Sequence, residues 1–126
     1  MKIKSNNKTC ICTLAKQENR YAREFVEYYY KIGVDKIYLY DNNNVNGERF
    51  EEVIDDFVKS GFVHIIDIRG KKLPQLKAMT DCYKKHYKYY DWLIFYDIDE
   101  YIHLINYSVI KFFLNEKDFQ LSYLKI

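Results

Sequence analysis

Short apolar runs alternate along the chain with longer segments in which apolar residues recur every three or four positions. The short runs are typical of β-strands, and the recurring positions indicate one face of an amphipathic α-helix. The predicted strands are Thr9–Leu14, Lys36–Tyr40, Val63–Ile68 and Trp92–Tyr96. Because these strands lack a strict apolar and polar alternation, they favour a parallel sheet that helices cover on both faces. The pattern therefore predicts the order βαβαβαβ and an α/β fold.

Three predicted helices separate the strands. Gly33 and Gly61 follow the first and second helices, where glycine favours helix termination, and Pro74 suits the first turn of the third. The apolar spacing predicts that each helix packs through one stripe of bulky side chains. The stripes are Tyr21, Phe25, Tyr28, Tyr29 and Ile32; Phe50, Val53, Ile54, Phe57 and Val58; and Leu76, Met79, Tyr83, His86, Tyr87 and Tyr90.

The C-terminal part of the sequence predicts an unfinished sheet. Ser108 is suited to cap a short helix over Val109–Leu114, and Leu121–Ile126 has the pattern of a strand that is only beginning. A parallel sheet that stops at such a strand would leave an exposed edge, which folded domains usually cover. We therefore interpret residues 1–126 as a single domain that is incomplete at its C-terminal end.

The composition disfavours several classes of protein but indicates no particular ligand. Hydrophobic residues make up 48% of the sequence and there is one proline, so a disordered chain is disfavoured. The formal net charge of +2 is too small to favour a nucleic-acid partner. No apolar stretch is long enough for a signal peptide or a transmembrane segment. The sequence thus favours a cytoplasmic chain, and peripheral association with the inner face of a membrane stays compatible with it.

The three cysteines are predicted to pack in the core and not to form disulfides or bind zinc. Cys10, Cys12 and Cys82 are odd in number and have no C-x-x-C spacing, so neither a disulfide framework nor a zinc site is indicated. Cys10 and Cys12 should share one face of the first strand, with Ile11 on the other.

Acidic residues follow the fourth predicted strand, at the edge where open parallel sheets bind ligands. In an extended segment Asp97 and Asp99 would face the same side, with Ile98 on the opposite side. Two such carboxylates repel each other unless a cation lies between them. Mg²⁺ and Mn²⁺ prefer oxygen ligands and can bridge a carboxylate to a diphosphate. The alternative is a solvated acidic turn, because the D-x-D string alone has low specificity.

Other polar residues follow the first three strands. The segment TLAKQENR after the first strand lacks both glycine-rich phosphate motifs, which argues against dinucleotide-binding and P-loop folds. Asp41 can accept a hydrogen bond from a ribose hydroxyl or a base N–H, although Asp41-Asn42-Asn43 also favours an Asx turn. Gln75, at the start of the third helix, can reach toward a phosphate.

Three segments together resemble glycosyltransferase family 92 and its family-2-like relatives. They are TLAKQENRYAREFVEYYYKIGVDKIYLYDNN, Gln75-Leu76-Lys77-Ala78 with Cys82, and DWLIFYDIDEYI. The resemblance extends over about Thr9 to Leu104 and implies the GT-A fold, a Rossmann-like three-layer sandwich with a mostly parallel sheet. It also implies a nucleotide-sugar donor, commonly a UDP-sugar with Mn²⁺, and transfer with inversion to a glycan or lipid-linked acceptor.

The resemblance also implies roles for individual residues. Thr13 and Ala15 would line the nucleotide, Asp41 would contact the uridine, and Asp97 would lie near the ribose and the metal. The metal ligands would be Asp97 and Asp99, with Mn²⁺ or Mg²⁺ as cofactor. The whole predicted nucleotide-sugar set is Thr13, Ala15, Glu18, Asp41, Asn43, Gln75 and Asp97. No general base is identified, because the family's acceptor-binding half would lie beyond Ile126.

Two other functional classes remain open from the sequence. The chain could be a truncated, non-catalytic domain that binds a nucleotide or a partner, with acids that are only remnants. A phosphoacceptor receiver domain is a weaker alternative, since the first strand lacks the acidic pair that such a site needs for Mg²⁺.

Overall fold

A four-stranded parallel sheet organises the part of the chain that the computed structural model describes, residues 8–103. The predicted helix Val109–Leu114 and strand Leu121–Ile126 lie outside these residues. The strands are β1 (Thr9–Ala15), β2 (Lys36–Asp41), β3 (Val63–Asp67) and β4 (Trp92–Phe95), and the helices are α1 (Asn19–Lys31), α2 (Glu51–Lys59) and α3 (Pro74–His86). The predicted α/β order is thereby confirmed.

The strand order in the sheet is β3-β2-β1-β4. β1 pairs with β2 in the register Cys10 to Lys36 and with β4 in the register Thr9 to Trp92. The chain therefore moves outward from β1 to β3 and then returns to the other side of β1. This reversal between β1 and β4 creates a topological switch point, where the crevice of an open α/β sheet lies.

Alternate residues of each strand face opposite layers of the core. Ile11 lies under α1 and α2 together with Ile37 and Ile94. Cys10 and Cys12 face the other way, into the cluster that α3 covers through Cys82. Helices thus cover both faces of the sheet, as in a Rossmann-like sandwich. The three cysteines are buried and free, which confirms their predicted packing role.

The glycines at the helix ends behave as predicted. Gly33 and Gly61 have φ angles of 93° and 88°, in the left-handed region that side chains disfavour. Pro74 begins α3 at its first turn. Along α1 the predicted stripe is buried at Phe25 and Tyr29, whereas Tyr21 is 37% exposed.

The predicted packing face of α3 is confirmed only at its C-terminal end, where the His86 ring stacks on the Tyr38 ring at 3.8 Å and the Tyr90 hydroxyl bonds to the Tyr38 hydroxyl. The helix contacts the sheet through the small side chains of Ala78 and Cys82, which are 1% and 0% exposed. Small residues let a helix approach a sheet closely, and four of the six residues of the predicted stripe are exposed instead of packed on the sheet. The exposed large side chains are Leu76, Met79, Tyr83 and Tyr87. No helix between residues 8 and 103 combines the length and apolarity that crossing a membrane requires.

Candidate functional site

A cavity of about 320 Å³ lies at the switch point, between the carboxyl ends of β1 and β4 and the start of α3. Gln75 and Asp97, two residues of the predicted nucleotide-sugar set, both line it. Its apolar wall includes Leu14 and Phe95, and Glu100 adds a second carboxylate. The fold therefore brings together an amide and acids that are far apart in the sequence.

The acids after β4 lie on a tight turn rather than on an extended strand. β4 ends at Phe95, and the Glu100 N–H donates to the Asp97 carbonyl at 2.9 Å. The Glu100 carboxylate in turn accepts a hydrogen bond from the Asp97 N–H at 2.7 Å. The predicted extended geometry is therefore wrong for this segment, which we call the acidic turn (residues 97–100). Its predicted alternation is nevertheless present, since Ile98 is 3% exposed while Asp97 and Asp99 are exposed.

The environment of the acidic turn raises the pKa of Asp97 above its usual range. Partial desolvation is the largest cause, followed by the negative charges of Glu100 and Asp99. Within residues 8–103 no group of three or more His, Cys, Asp or Glu residues could hold a metal ion. Asp97 and Asp99 can supply two oxygen ligands of the kind that Mg²⁺ and Mn²⁺ prefer, so a cation here would need further oxygens from a ligand or water.

Asp41 forms a buried ion pair with Arg69. The Asp41 Oδ2 atom accepts hydrogen bonds from the Arg69 Nε and Nη2 atoms at 3.1 and 2.7 Å. Its Oδ1 atom accepts the Asn43 N–H at 2.9 Å, which is the predicted Asx turn. The two side chains are only 3% and 6% exposed. Both carboxylate oxygens are therefore already hydrogen-bonded within the protein.

Arg69 also fixes the loop between β2 and α2. Its guanidinium donates to the carbonyl oxygens of Asn44 at 2.8 Å and Glu48 at 2.6 Å. Arg69 directly follows the predicted strand Val63–Ile68 in the sequence, but no motif assigns it a role. The register that pairs Asp41 with Asp67 brings Arg69 next to Asp41, and no local sequence pattern shows that pairing.

Two predicted ligand-binding residues carry buried polar atoms without a hydrogen-bond partner. The Asn43 Oδ1 atom accepts the Gln17 N–H at 2.6 Å, but its Nδ2 atom is unpartnered. The Thr13 hydroxyl is also buried and unpartnered. Unsatisfied buried polar groups are costly, but neither atom is accessible to a ligand in this structure.

The predicted ligand-binding residues away from Asp97 line other cavities or make backbone hydrogen bonds. Asn43 lines a cavity of about 440 Å³ and Asp41 another of about 390 Å³, so neither shares the cavity at Asp97. The Ala15 carbonyl accepts the Asn42 N–H at 2.9 Å. Glu18 begins α1 by accepting two backbone N–H groups at its carbonyl oxygen. The predicted set thus occupies neighbouring positions along the sheet edge rather than one continuous pocket.

Comparison with known proteins identifies a family. The family model for glycosyltransferase family 92 matches residues 7–122. A glycosyltransferase family 92 protein of Ricinus communis is 31% identical over 99 residues, which is 75% of this chain and 17% of that relative. One of Oryza sativa subsp. japonica is 30% identical over 98 residues, 75% of this chain and 16% of that relative.

The chain spans less than a fifth of the length of each of these curated relatives. No solved structure matches it. The family model nevertheless covers nearly the whole sequence, including β1 to β4 and the acidic turn. The chain belongs to glycosyltransferase family 92.

Proposed function

We propose that this chain forms the donor-binding part of a metal-dependent glycosyltransferase. The enzyme would transfer a sugar from a UDP-sugar, with inversion, to a glycan or lipid-linked acceptor. The observation that carries the proposal is the cavity at the switch point, which Gln75 and Asp97 both line; the exposed Asp99 lies two residues further along the acidic turn. Open α/β sheets bind nucleotides at this position.

The carboxylates of Asp97 and Asp99 would hold Mn²⁺ or Mg²⁺ against the diphosphate of the donor. The cation supplies positive charge at the diphosphate, which becomes more negative as it leaves the sugar. A cation would also offset the desolvation and the repulsion from Glu100 and Asp99, which together raise the pKa of Asp97. The Gln75 amide, which lines the same cavity, would donate a hydrogen bond to a phosphate oxygen.

The remaining residues of the predicted set would contact the nucleoside. Thr13 and Asn43 would line it, and their buried, unpartnered hydroxyl and Nδ2 atom would gain hydrogen bonds from it only with a local opening of the sheet edge. Asp41 would contact the uridine while it stays paired with Arg69, since one carboxylate has about four acceptor positions. Ala15 and Glu18 would line the nucleotide along the segment that joins β1 to α1.

Calorimetric titration with UDP in the presence of Mn²⁺, and again with EDTA, tests this proposal. We expect binding that depends on the metal and that Asp99→Asn weakens by at least about tenfold. Asp55→Asn is the matched control, because Asp55 lies on α2 in an exposed ion pair with Lys59. Equal UDP binding with and without Mn²⁺, or equal affinities for Asp99→Asn and wild type, would contradict the metal site.

Binding and transfer need separate measurements. The rate of transfer requires an oriented acceptor and a base in addition to the bound donor. Metal-dependent UDP binding without UDP release from a UDP-sugar, tested with glycan and lipid-linked acceptors, would favour the alternative of a non-catalytic nucleotide-binding domain. Release of UDP in step with sugar transfer would support the enzyme.

A further inference from the structure

The hydroxyl of Tyr29 links α1 to the segment that follows the acidic turn. Tyr29 is fully buried, and its hydroxyl donates to the Glu100 carbonyl oxygen at 2.9 Å. The same hydroxyl accepts the N–H of Ile102 at 2.9 Å. Burial raises the pKa of Tyr29, so the hydroxyl keeps its proton at neutral pH. One side chain therefore satisfies two backbone groups of a segment that is neither helix nor strand.

Aromatic contacts hold the same segment from α1. The Tyr28 hydroxyl donates to the Ile102 carbonyl oxygen. The Tyr101 ring stacks on the Tyr29 ring at 6.0 Å between centroids, with an angle of 5° between the planes. It also meets the Tyr28 ring edge-on at 5.0 Å. Residues 100–102 are thus fixed to α1 by hydrogen bonds and by ring packing.

This attachment continues directly into the acidic turn. Glu100, whose carbonyl Tyr29 holds, is joined to Asp97 by a hydrogen bond from its N–H and by another to its carboxylate. Ile98 anchors the other end of the turn in the core under α1 and α2. The backbone that carries Asp97 and Asp99 is therefore fixed on both sides, on one side by an apolar contact and on the other through Tyr29.

We propose that Tyr29 is a positioning residue for the acidic turn, which holds the backbone in the arrangement that presents Asp97 and Asp99 to a divalent cation. This inference rests on the proposed function, because it assigns the turn a cation. A fixed backbone lowers the entropy that binding must remove, so the two carboxylates bind more tightly than on a mobile loop. Tyr29 itself touches neither the cation nor the donor.

The test compares Tyr29→Phe with Tyr38→Phe. Tyr29→Phe keeps the ring and removes the hydroxyl. Tyr38→Phe removes another largely buried hydroxyl, which pairs with the Tyr90 hydroxyl at 2.8 Å under α3 and does not contact the acidic turn. Free Mn²⁺ is measured by electron paramagnetic resonance at saturating UDP, and the stability of each variant by urea unfolding.

We expect Tyr29→Phe to weaken Mn²⁺ binding by about tenfold, the lower end of the effect of groups that orient metal ligands. Tyr38→Phe should bind Mn²⁺ like wild type even where it loses as much stability. Equal Mn²⁺ affinities for Tyr29→Phe and wild type, or the same loss in both variants, would overturn the positioning role.

Amide hydrogen exchange separates a failure of this inference from a failure of the proposed function. In Tyr29→Phe the amides of Asp97 and Ile102 should exchange faster relative to amides within β1 and β2, with or without Mn²⁺. Faster exchange at Ile102 but unchanged exchange at Asp97 would overturn the inference, since the effect would not reach the acidic turn. If wild type binds no Mn²⁺, the metal site of the proposed function fails, and exchange at Asp97 still decides whether Tyr29 orders the turn.

Discussion

Replacing Arg69 with methionine tests whether the buried ion pair organises the carboxyl edge of the sheet. Arg69→Met keeps an unbranched chain and removes every hydrogen-bond donor. The variant leaves the Asp41 carboxylate without its Arg69 partner, although that side chain is only 3% exposed. It also removes the bonds that hold the carbonyl oxygens of Asn44 and Glu48.

The expected cost follows from this geometry. Removing one partner of a buried ion pair costs about 3–5 kcal/mol, because the remaining charge is uncompensated. With a denaturant slope of about 1.5 kcal/mol/M, a loss of 3 kcal/mol lowers the urea midpoint by about 2 M. Small domains are stable by about 5–15 kcal/mol, so Arg69→Met should remain folded but strongly destabilised.

Urea unfolding at pH 7, followed by circular dichroism, measures the free energy of unfolding of wild type, Arg69→Met, Asp41→Asn and the double variant. Asp41→Asn should destabilise wild type but stabilise Arg69→Met, because in that background it removes an unpaired buried charge. Arg23→Met is the matched control, since Arg23 makes a two-bond contact with Asp56 in an exposed ion pair.

Two outcomes would refute this account of the ion pair. Additive effects of Asp41→Asn and Arg69→Met would show that the two side chains contribute independently. If Arg69→Met lowers the free energy of unfolding no more than Arg23→Met does, then burial does not increase the cost of removing one partner of an ion pair.

The remaining predictions concern the acidic turn and the cysteines. Because the folded state raises the pKa of Asp97, its charge destabilises the fold at neutral pH, so Asp97→Asn should raise the urea midpoint at pH 7. That gain should vanish once the pH falls below the ordinary value of 3.8, and a gain that persists there would contradict it. The thiols of Cys10, Cys12 and Cys82 are buried and should react with Ellman's reagent only as the chain unfolds. Rapid labelling in the absence of urea would contradict their burial.

The sheet could be predicted because its strands are apolar enough to be recognised without their neighbours. β1 extends one residue beyond its predicted end and β4 stops one residue earlier. The packing face of α3 could be predicted from large residues only at its C-terminal end, where His86 and Tyr90 contact Tyr38. Its contact with the sheet uses Ala78 and Cys82, whose small size matters only when the distance between helix and sheet is known.

The sequence indicates which residues follow the strands and so lie near the sheet edge. It does not indicate which side chains from different elements contact each other. Gln75 and Asp97 do share a cavity, as residues near the carboxyl edge of a parallel sheet should. The bond from Arg69 to Asp41 requires the β2 to β3 register, and the contact between Tyr29 and Ile102 joins residues 73 apart. No local periodicity encodes either contact.

The central position of β1 has a consequence for how the chain folds. Its partner β4 comes last among the described strands, and next to this pair Lys8 and Asp91 are hydrogen-bonded across 83 residues of sequence. Pairings of such high contact order form slowly, because a long loop must close first. While β4 is still inside the ribosome, the edge of β1 that later pairs with β4 is unpaired. Such an exposed strand edge can aggregate with other nascent chains. The carboxylates of the acidic turn follow β4, so among the described strands they reach the sheet only once this fourth strand has docked.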